Sequence, residues 1–425
     1  MKLFSIKVLK KKLLNALPKN IRYNLIRSSI RINYKVNPQL TFKIARTKEE
    51  LTAAFTLLHE AYVRSGYMNP HPSGMRITIY HALPETTTLI AIMDKKVIAT
   101  VSIIKRTSLG LPVEKIFEIS KLIKGSCQCA EISALAIHKE YIKRQGEILF
   151  PLLKYTYEYS LNYFGSKLFF IAVNPKGIDY YKALLSFKDI SSKTVSKYSY
   201  VNNAPAVGAF LYLEELYRSM YVNFKNKPAD RNFFKYFFEF KHPYYTFPDR
   251  KYYSTFDPVM TPELLHYFFK EKSNVFSLLT EKELKALNDI YKAEQYKDLL
   301  PNFNISIASN KRTVEFPVNC PGIIILDNTD NLKMHVVNVS KTRLAAFLSE
   351  KLFIADTIKA KIEIAQFELI NLTLKLVFCD MNELYYNFEV IKHDESWIKF
   401  IEYSEKKLLL MKTAVFNVYK KRTQK

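Results

Sequence analysis

The chain has 425 residues, 48% of them hydrophobic and 24% charged, with 64 lysine and arginine residues against 40 acidic ones. This composition excludes a mainly disordered or collagen-like chain, and the length favours two or three domains. Four cysteines are too few for a disulfide scaffold and the sequence has no long apolar run, so we expect a cytoplasmic protein without a transmembrane helix.

The N-terminal segment is strongly basic. Residues 1–48 contain thirteen lysine or arginine residues, and the first acidic residue is Glu49. Within residues 2–17, leucine and isoleucine recur at helical spacing with lysines between them, as in helices that lie on an anionic membrane surface. A helix packed against the rest of the protein would show the same pattern. Residues 1–40 are therefore a basic amphipathic segment, and the protein is expected to be either freely cytoplasmic or held peripherally at the inner membrane.

The excess of positive charge has two interpretations. It favours acidic partners, such as anionic lipid or an acidic carrier protein. A coding sequence rich in A and T would also give this lysine-, asparagine- and tyrosine-rich composition without functional pressure. The sequence has no Cys/His finger and no basic recognition helix, which argues against nucleic acid as a partner.

Residues 41–300 show mixed α and β patterns. Helical spacing alternates with short apolar runs, and one strand–helix–strand unit is predicted to be parallel, on a sheet that also holds antiparallel hairpins. Residues 205–300 are rich in aromatic residues and are predicted to be mostly helical. The predicted elements before residue 200 are helix Lys48–Val63, the hairpin Leu89–Met93 and Val97–Ile104, strand Ala130–Ile137, helix Glu147–Asn162, strand Lys167–Val173 and helix Ile178–Leu185.

In residues 305–425 the spacing of apolar residues changes to a period of two, which indicates strands. A small β-barrel followed by the helix Glu395–Lys412 is predicted as a separate domain. Its expected strands are Val314–Val318, Leu332–Val339, Ile358–Ile364, Leu369–Phe378 and Tyr385–Ile391.

Several short motifs in residues 42–300 carry a family resemblance. They are GYM at 66–68, SGMR at 73–76, YHALP at 80–84, TTT at 86–88, GLP at 110–112 and AEISALA at 130–136. In their order and spacing they resemble the N-acyl amino acid synthases, relatives of the acyl-homoserine-lactone autoinducer synthases within the GNAT acyltransferase fold. The resemblance implies an α/β protein with a GNAT-type mixed sheet, a helical extension up to residue 300, and then the barrel.

The same resemblance implies the reaction. A long-chain acyl group would pass from the thioester of an acyl carrier protein, or of acyl-CoA, to the α-amine of an amino acid. The acyl-phosphopantetheine thioester is then a co-substrate, and no tightly bound cofactor is expected. The histidines are not spaced as metal ligands, so no metal is expected either.

The catalytic residues come from the same comparison. Glu131 matches a glutamate that lies beside the amine acceptor in the related synthases and precedes Ser133; it would accept a proton or orient the ammonium group. Tyr180, or its neighbour Tyr181, resembles a tyrosine that faces the leaving sulfur. A plainer interpretation is that Glu131 is a charged residue at a strand start, paired with a lysine.

The acceptor site would use Arg76, because a guanidinium binds a carboxylate through two hydrogen bonds. Tyr67, in the GYM motif, and Asn174, which resembles a residue at the end of the family core, would also bind the substrate. A surface arginine is the alternative for Arg76.

The thioester would lie along the strand that follows Glu131. Backbone groups at Leu135 and Ile137 would bind the pantetheine arm, and the turn with Arg144 and Gly146 would meet the phosphate at a helix N-terminus. The turn lacks the family's second glycine, at Ile148, which puts binding of the coenzyme A diphosphate in doubt. An acyl carrier protein presents a single phosphate and is acidic, so it suits both this turn and the basic chain.

The C-terminal barrel resembles a degenerate PilZ domain, a receptor module for cyclic di-GMP. Arg312 stands at the first arginine of the family's pair, Phe316 replaces the second, and Asn338 and Ser340 keep the front of its conserved turn, in which Arg343 replaces glycine. The alternative function is therefore a catalytically inactive GNAT body that responds to cyclic di-GMP or binds a partner through this domain.

Overall fold

The computed structural model describes residues 17–406, except for 108, 124–127, 193, 254–259, 292–295, 297, 302–315, 327–330, 353–356, 366 and 382–383. The predicted amphipathic helix in residues 2–17 lies almost entirely outside the described residues, as do Arg312 and the end of the last predicted helix. No described helix is long and apolar enough to cross a bilayer.

The N-terminal body is built on one mixed sheet. Its strand order is β1-β2-β3-β4-β5-β8-β6, and β7 pairs with β8. Neighbouring strands are antiparallel except β4 and β5, which are parallel and joined through a helix, so the predicted strand–helix–strand unit is confirmed. The strands are β1 Leu40–Ile44, β2 Thr86–Met93, β3 Lys96–Lys105, β4 Cys129–Ile137, β5 Leu168–Val173, β6 Lys188–Asp189, β7 Val195–Tyr198 and β8 Ala204–Tyr212.

Helices cover both faces of this sheet. One hydrophobic core lies under α1, α3, α4 and α5, and a second lies under α2, α6 and α7. A capping box formed by Thr47 and Glu50 starts α2, and Gly165, with φ +59°, ends α3. The helices are α1 Lys19–Ser29, α2 Lys48–Arg64, α3 Gln145–Phe164, α4 Ile178–Leu185, α5 Leu213–Phe224, α6 Pro262–His266 and α7 Glu281–Ile290.

The prediction of mostly helical structure after residue 205 is wrong at its start, because Ala204–Tyr212 forms β8. This strand pairs with β5 along its length and is buried at most positions, so it lacks the polar alternation that marks a half-exposed strand. The first hairpin strand begins at Thr86 rather than Leu89 for the same reason: the three threonines are buried.

Strands β4 and β5 separate after a short paired stretch. The parallel pairing covers Cys129, Ala130 and Glu131 only. On its other edge β4 shifts register against β3 between Thr100 and Ser102, and Ala134 adopts a left-handed conformation with φ +54°. This bulge adds a residue to β4 and re-aims the strand. Beyond Glu131, the β5-facing edge of β4 is therefore free of strand pairing, and we call the gap between the two strands the β4–β5 cleft.

The C-terminal strands close into a barrel in the order β10-β11-β14-β13-β12-β9. Trp397, in a helical stretch over residues 395–406, is fully buried against the barrel core. Strand β9 runs to residue 325, beyond the predicted end at Val318, and the predicted start at Val314 lies outside the described residues. Strand β11 was not predicted, because three of its residues in succession are buried. The strands are β9 Phe316–Ile325, β10 Leu332–Val339, β11 Arg343–Leu348, β12 Thr357–Ala365, β13 Glu368–Asp380 and β14 Tyr385–His393.

The barrel contacts the body next to β4. The amide nitrogen Nε2 of Gln128, the residue before β4, lies 2.9 Å from Nδ1 of His335 on β10. Tyr252 and Tyr253, which lie between α5 and α6 in the chain, are buried in the barrel core. The residue directly before the strand that carries Glu131 is thus in contact with the C-terminal barrel.

Candidate active site

Glu131 lies at the point where β4 leaves β5, and its side chain is buried. Its Oε2 atom accepts a hydrogen bond of 2.7 Å from the backbone N–H of Val113. Burial raises the pKa of Glu131 to about 8; hydrogen bonds from Val113 and Ser133 oppose this shift, and the nearby Glu114 carboxylate adds to it. A carboxyl of this kind exchanges a proton near neutral pH, as a general base must. Among the residues that the structure describes, no lysine forms an ion pair with Glu131.

The turn that carries Val113 is held rigidly. Glu114 accepts hydrogen bonds from Nε and Nη2 of Arg106 at 2.8 and 2.9 Å and from the N–H of Leu111 at 2.7 Å. Gly110, with φ +72°, lies so close that a Cβ would stand 3.1 Å from a Glu114 oxygen. The GLP motif therefore aims the Val113 N–H at Glu131. Sequence reasoning recorded the motif but missed the role of Val113, since a backbone donor has no side-chain signature.

Four tyrosines lie near enough to the carboxyl of Glu131 for its charge to affect their pKa values. Burial raises the pKa of Tyr62, Tyr80, Tyr198 and Tyr200, and the negative charge of Glu131 contributes to each shift. The Tyr198 hydroxyl donates to the Pro112 carbonyl at 3.0 Å, and the Tyr198 ring stacks on Tyr200 at 5.7 Å. These phenols remain protonated at neutral pH and can donate hydrogen bonds. The sequence contains 29 tyrosines, so their type alone did not single them out.

Arg76 lies in the same cluster. Its Nη2 donates to the Tyr200 carbonyl at 2.7 Å, and its guanidinium lies 4.5 Å from the Tyr62 ring centroid and 4.8 Å from that of Tyr200. Its backbone N–H donates to the Phe55 carbonyl on α2 at 3.1 Å. Two aromatic rings and one carbonyl fix the plane of the guanidinium. The structure thus brings Arg76 and Glu131 around the same tyrosines.

His81 lies beside this cluster and is an unsuitable base. It is buried, and burial together with the positive charge of Arg76 lowers its pKa to about 3. Its Nδ1 accepts the Thr78 N–H at 3.0 Å, which closes the turn before β2. The YHALP motif therefore has a structural role at this histidine. Tyr67 borders the cluster, with its ring 5.7 Å from that of Tyr62 in an edge-to-face arrangement.

Asn174 and the two candidate tyrosines lie after β5. The Oδ1 atom of Asn174 accepts the Lys176 N–H at 3.0 Å and so shapes the turn into α4. Tyr180 is 58% exposed, whereas Tyr181 packs edge-to-face on Phe187 and burial raises its pKa to about 12. Neither tyrosine has a described contact with Glu131 or Arg76. A role for Tyr180 at the leaving sulfur stays a prediction.

The predicted thioester site follows the open edge of β4. Ser133, Leu135 and Ile137 lie beyond the residues that pair with β5. At the N-terminus of α3, Arg144 forms an ion pair of 2.7 Å with Glu147, and Gly146 lies against Phe150, whose ring would be 3.4 Å from a Cβ. At the place predicted for a phosphate, the basic side chain of Arg144 is thus paired with the carboxylate of Glu147.

Two of the predicted nucleotide residues lie in the β10–β11 hairpin. The Ser340 N–H donates to the Arg343 carbonyl at 2.8 Å, and the Ser340 Oγ accepts the Arg343 N–H at 3.0 Å. Asn338 pairs with Ala345 and Pro317 at a bulge. These contacts explain both residues as parts of a tight hairpin, and nucleotide binding by this turn stays a prediction.

The described residues also form an open groove of about 550 Å³ along the outer face of α2, next to His138 and Tyr267. Glu131 and Arg76 are not among its lining residues. The described residues include no group of three or more His, Cys, Asp or Glu side chains arranged to hold a metal.

Residues 53–211 match the protein-family model described as N-acyl amino acid synthase FeeM. Among solved structures, FeeM from uncultured soil microbes is 23% identical over 43% of this chain and 96% of its own, with a TM-score of 0.37. The acyl-homoserine-lactone synthase LasI is 16% identical over 41% and 90%, with a TM-score of 0.32. The CoA-dependent synthase BjaI is 14% identical over 43% and 88%, with a TM-score of 0.33. No curated protein sequence matches the chain.

The matched region contains the sheet from β2 to β8, the turn that holds Val113, and both Arg76 and Glu131. The fold is the expected one, a GNAT-type mixed sheet with helices on both faces, followed by a closed barrel. The chain is therefore an N-acyltransferase, and its residues 53–211 match the N-acyl amino acid synthase family.

Proposed function

We propose that the protein transfers a long-chain acyl group from a phosphopantetheine thioester to the α-amine of an amino acid. The observation that carries this proposal is the placement of a buried carboxyl, Glu131, and a ring-clamped guanidinium, Arg76, around one set of tyrosines at the mouth of the β4–β5 cleft. The match to the synthase family supports it.

The acceptor would be held at its carboxylate by the guanidinium of Arg76. Its α-ammonium would then face Glu131, whose carboxylate form takes one proton and leaves a nucleophilic amine. Because the pKa of Glu131 is raised to about 8, the fraction in the carboxylate form increases with pH and reaches one half at that value. The rate of acyl transfer should therefore rise through neutral pH, reach half its maximum near pH 8 and level off above it.

The donor thioester would lie along the open edge of β4. The amine nitrogen attacks the thioester carbonyl carbon, the C–N bond forms, and the carbonyl oxygen becomes anionic. Backbone N–H groups of β4 beyond Glu131 and the neighbouring phenols would stabilise that charge. The C–S bond then breaks, and the thiolate takes up a proton released from the nitrogen. The products are an N-acyl amino acid and free phosphopantetheine thiol.

An acyl carrier protein suits this site better than coenzyme A. The pair formed by Arg144 and Glu147 places a carboxylate in the first turn of α3, where it would repel a diphosphate. A carrier protein brings one phosphate and an acidic surface. The basic segment of residues 1–40 would keep the enzyme near the membrane that receives the lipid product, and this too belongs to the proposal.

Lipid mass spectrometry tests the function directly. Cells expressing the wild type should accumulate N-acyl amino acids, identified by head group and chain length, that are missing with an empty vector. Glu131→Gln should lose them, and Arg76→Lys should reduce them about a hundredfold, because lysine cannot bind a carboxylate through a planar fork. Glu60→Gln, an exposed change on α2, is the matched control. No new lipid from a folded wild type would refute the proposal.

A further inference from the structure

An unusual phenylalanine lies at the tip of the β12–β13 hairpin. Phe367 is 89% exposed and has φ +63°, a left-handed conformation that disfavours a bulky side chain. Its N–H donates to Oε1 of Glu363 at 3.4 Å, so the hairpin holds it in this position. Glycine and asparagine adopt the left-handed conformation more readily than phenylalanine and would suffice for this turn. An exposed aromatic ring in that place therefore requires an explanation beyond the fold.

Further apolar side chains lie exposed on the outer surface of the same strands. Leu369, next to the tip on β13, is 59% exposed, and Ile391 on β14 is 51% exposed. Their neighbours Ile370 and Val390 point inward and are buried, as the alternation of a strand requires. The outer surface of β12, β13 and β14 thus carries apolar groups beside the protruding ring. We call this surface the barrel wall.

The barrel wall is also positively charged. Lys359 and Lys361 are exposed on β12, Lys375 on β13 and Lys392 on β14. Lys359 pairs with Thr373, which in turn pairs with Lys392, so Lys359 and Lys392 lie in one row across three strands. None of the four lysines forms a described ion pair.

Three acidic residues lie near the four lysines. Glu363 accepts hydrogen bonds from the Phe367 N–H and the Tyr253 hydroxyl. Glu368 lies 3.8 Å from Lys251. Glu389 lies opposite Lys375 and Arg343 in the strand register. With Lys251 and the four lysines against these three glutamates, the barrel wall presents a net positive charge around an exposed apolar tip.

Anionic lipid is the occupant that fits this chemistry best. A lysine ammonium is a point charge and lacks the planar fork through which arginine binds an anion in a fixed geometry. Spaced lysines therefore suit lipid headgroups, which can be bound without a fixed geometry. The ring protrudes and lies in no concave pocket, so it suits a fluid hydrocarbon boundary rather than a shaped protein partner. Nucleic acid would call for stacking rings along a basic groove.

We propose that the barrel wall docks on an anionic membrane surface, with Phe367 inserted at the boundary between headgroups and acyl chains and the four lysines on the headgroups. The proposal does not depend on the acyl-transfer reaction, because vesicle binding is measured without turnover. It is also separate from the N-terminal segment, which every variant below retains.

Tryptophan fluorescence gives the first test. The native chain has one tryptophan, Trp397, and it is fully buried. Phe367→Trp adds an exposed reporter, whose emission should shift to the blue with vesicles of equal parts phosphatidylglycerol and phosphatidylcholine and stay unchanged with pure phosphatidylcholine. Leu278→Trp, at a body position 72% exposed, is the matched control and should not shift. An unshifted Phe367→Trp spectrum with bound protein would overturn the proposal.

Vesicle sedimentation gives the second test. Phe367→Asn should lower the partition coefficient about tenfold, since asparagine accepts the left-handed conformation and the fold is kept. Lys359→Gln with Lys361→Gln should lower it about fivefold for each lysine, and added salt should lower it in the wild type. Lys95→Gln with Lys96→Gln, both exposed on the body, is the control. Equal partitioning of all variants, or binding to an acidic carrier protein instead of vesicles, would contradict lipid docking.

Discussion

Glu131→Gln is expected to stabilise the fold by an amount that increases with pH. The pKa of the buried carboxyl is raised from 4.5 to about 8, so the folded state holds this proton more tightly than the unfolded state. Below the unfolded pKa both states are protonated and the group has no effect. As pH rises, the unfolded state ionises freely while the folded state does not, and the free energy of unfolding falls until pH reaches the folded pKa.

The shift sets the magnitude. At about 1.4 kcal/mol per unit of pKa, the wild type should lose about 3 kcal/mol of stability by pH 7 and about 5 kcal/mol above pH 8. Glutamine cannot ionise, and its amide oxygen can still accept the Val113 N–H. The variant should therefore show no such loss.

Urea unfolding followed by circular dichroism measures the difference between the two proteins. The free energy of unfolding of Glu131→Gln minus that of the wild type should grow by about 3 kcal/mol between pH 5 and pH 8. Glu60→Gln, exposed on α2, should follow the wild type at every pH. Parallel curves for Glu131→Gln and the wild type would show that Glu131 ionises normally, and the assignment of a base with a raised pKa would be lost.

Three further changes test the packing around the site by the same unfolding measurement. Ala134→Gly should stabilise by up to about 1 kcal/mol, because glycine adopts φ +54° without strain; a loss would show that the bulge does not strain alanine. Gly208→Ala should destabilise by about 1–3 kcal/mol, since its Cβ would stand 2.7 Å from the Phe117 ring, and an unchanged midpoint would contradict that contact. Gln128→Ala should cost about 1–3 kcal/mol by removing the donor to half-buried His335, and a double-mutant cycle with His335→Ala that shows no coupling would refute a bond between body and barrel.

Local patterns of apolar residues in the sequence predicted much of the architecture. Apolar spacing of three and four predicted α2 and α3 close to their observed ends, and alternation in residues 358–364 predicted β12, since these patterns record which side of an element faces a core. The same rule failed at β8 and β11, which are largely buried. Where both faces of a strand are covered, alternation disappears and the pattern no longer separates a strand from a helix.

The candidate site divides in the same way. The sequence by itself singled out Glu131 and Arg76, through motifs that resemble a known family. Only the tertiary structure decided what surrounds them: Val113, 18 positions before Glu131, supplies its hydrogen bond, and Tyr200, 124 positions after Arg76, holds its guanidinium. It also decided the left-handed Ala134, where no glycine signalled a bulge. Local patterns record burial and chain direction, whereas pKa and orientation depend on neighbours that only the folded chain brings together.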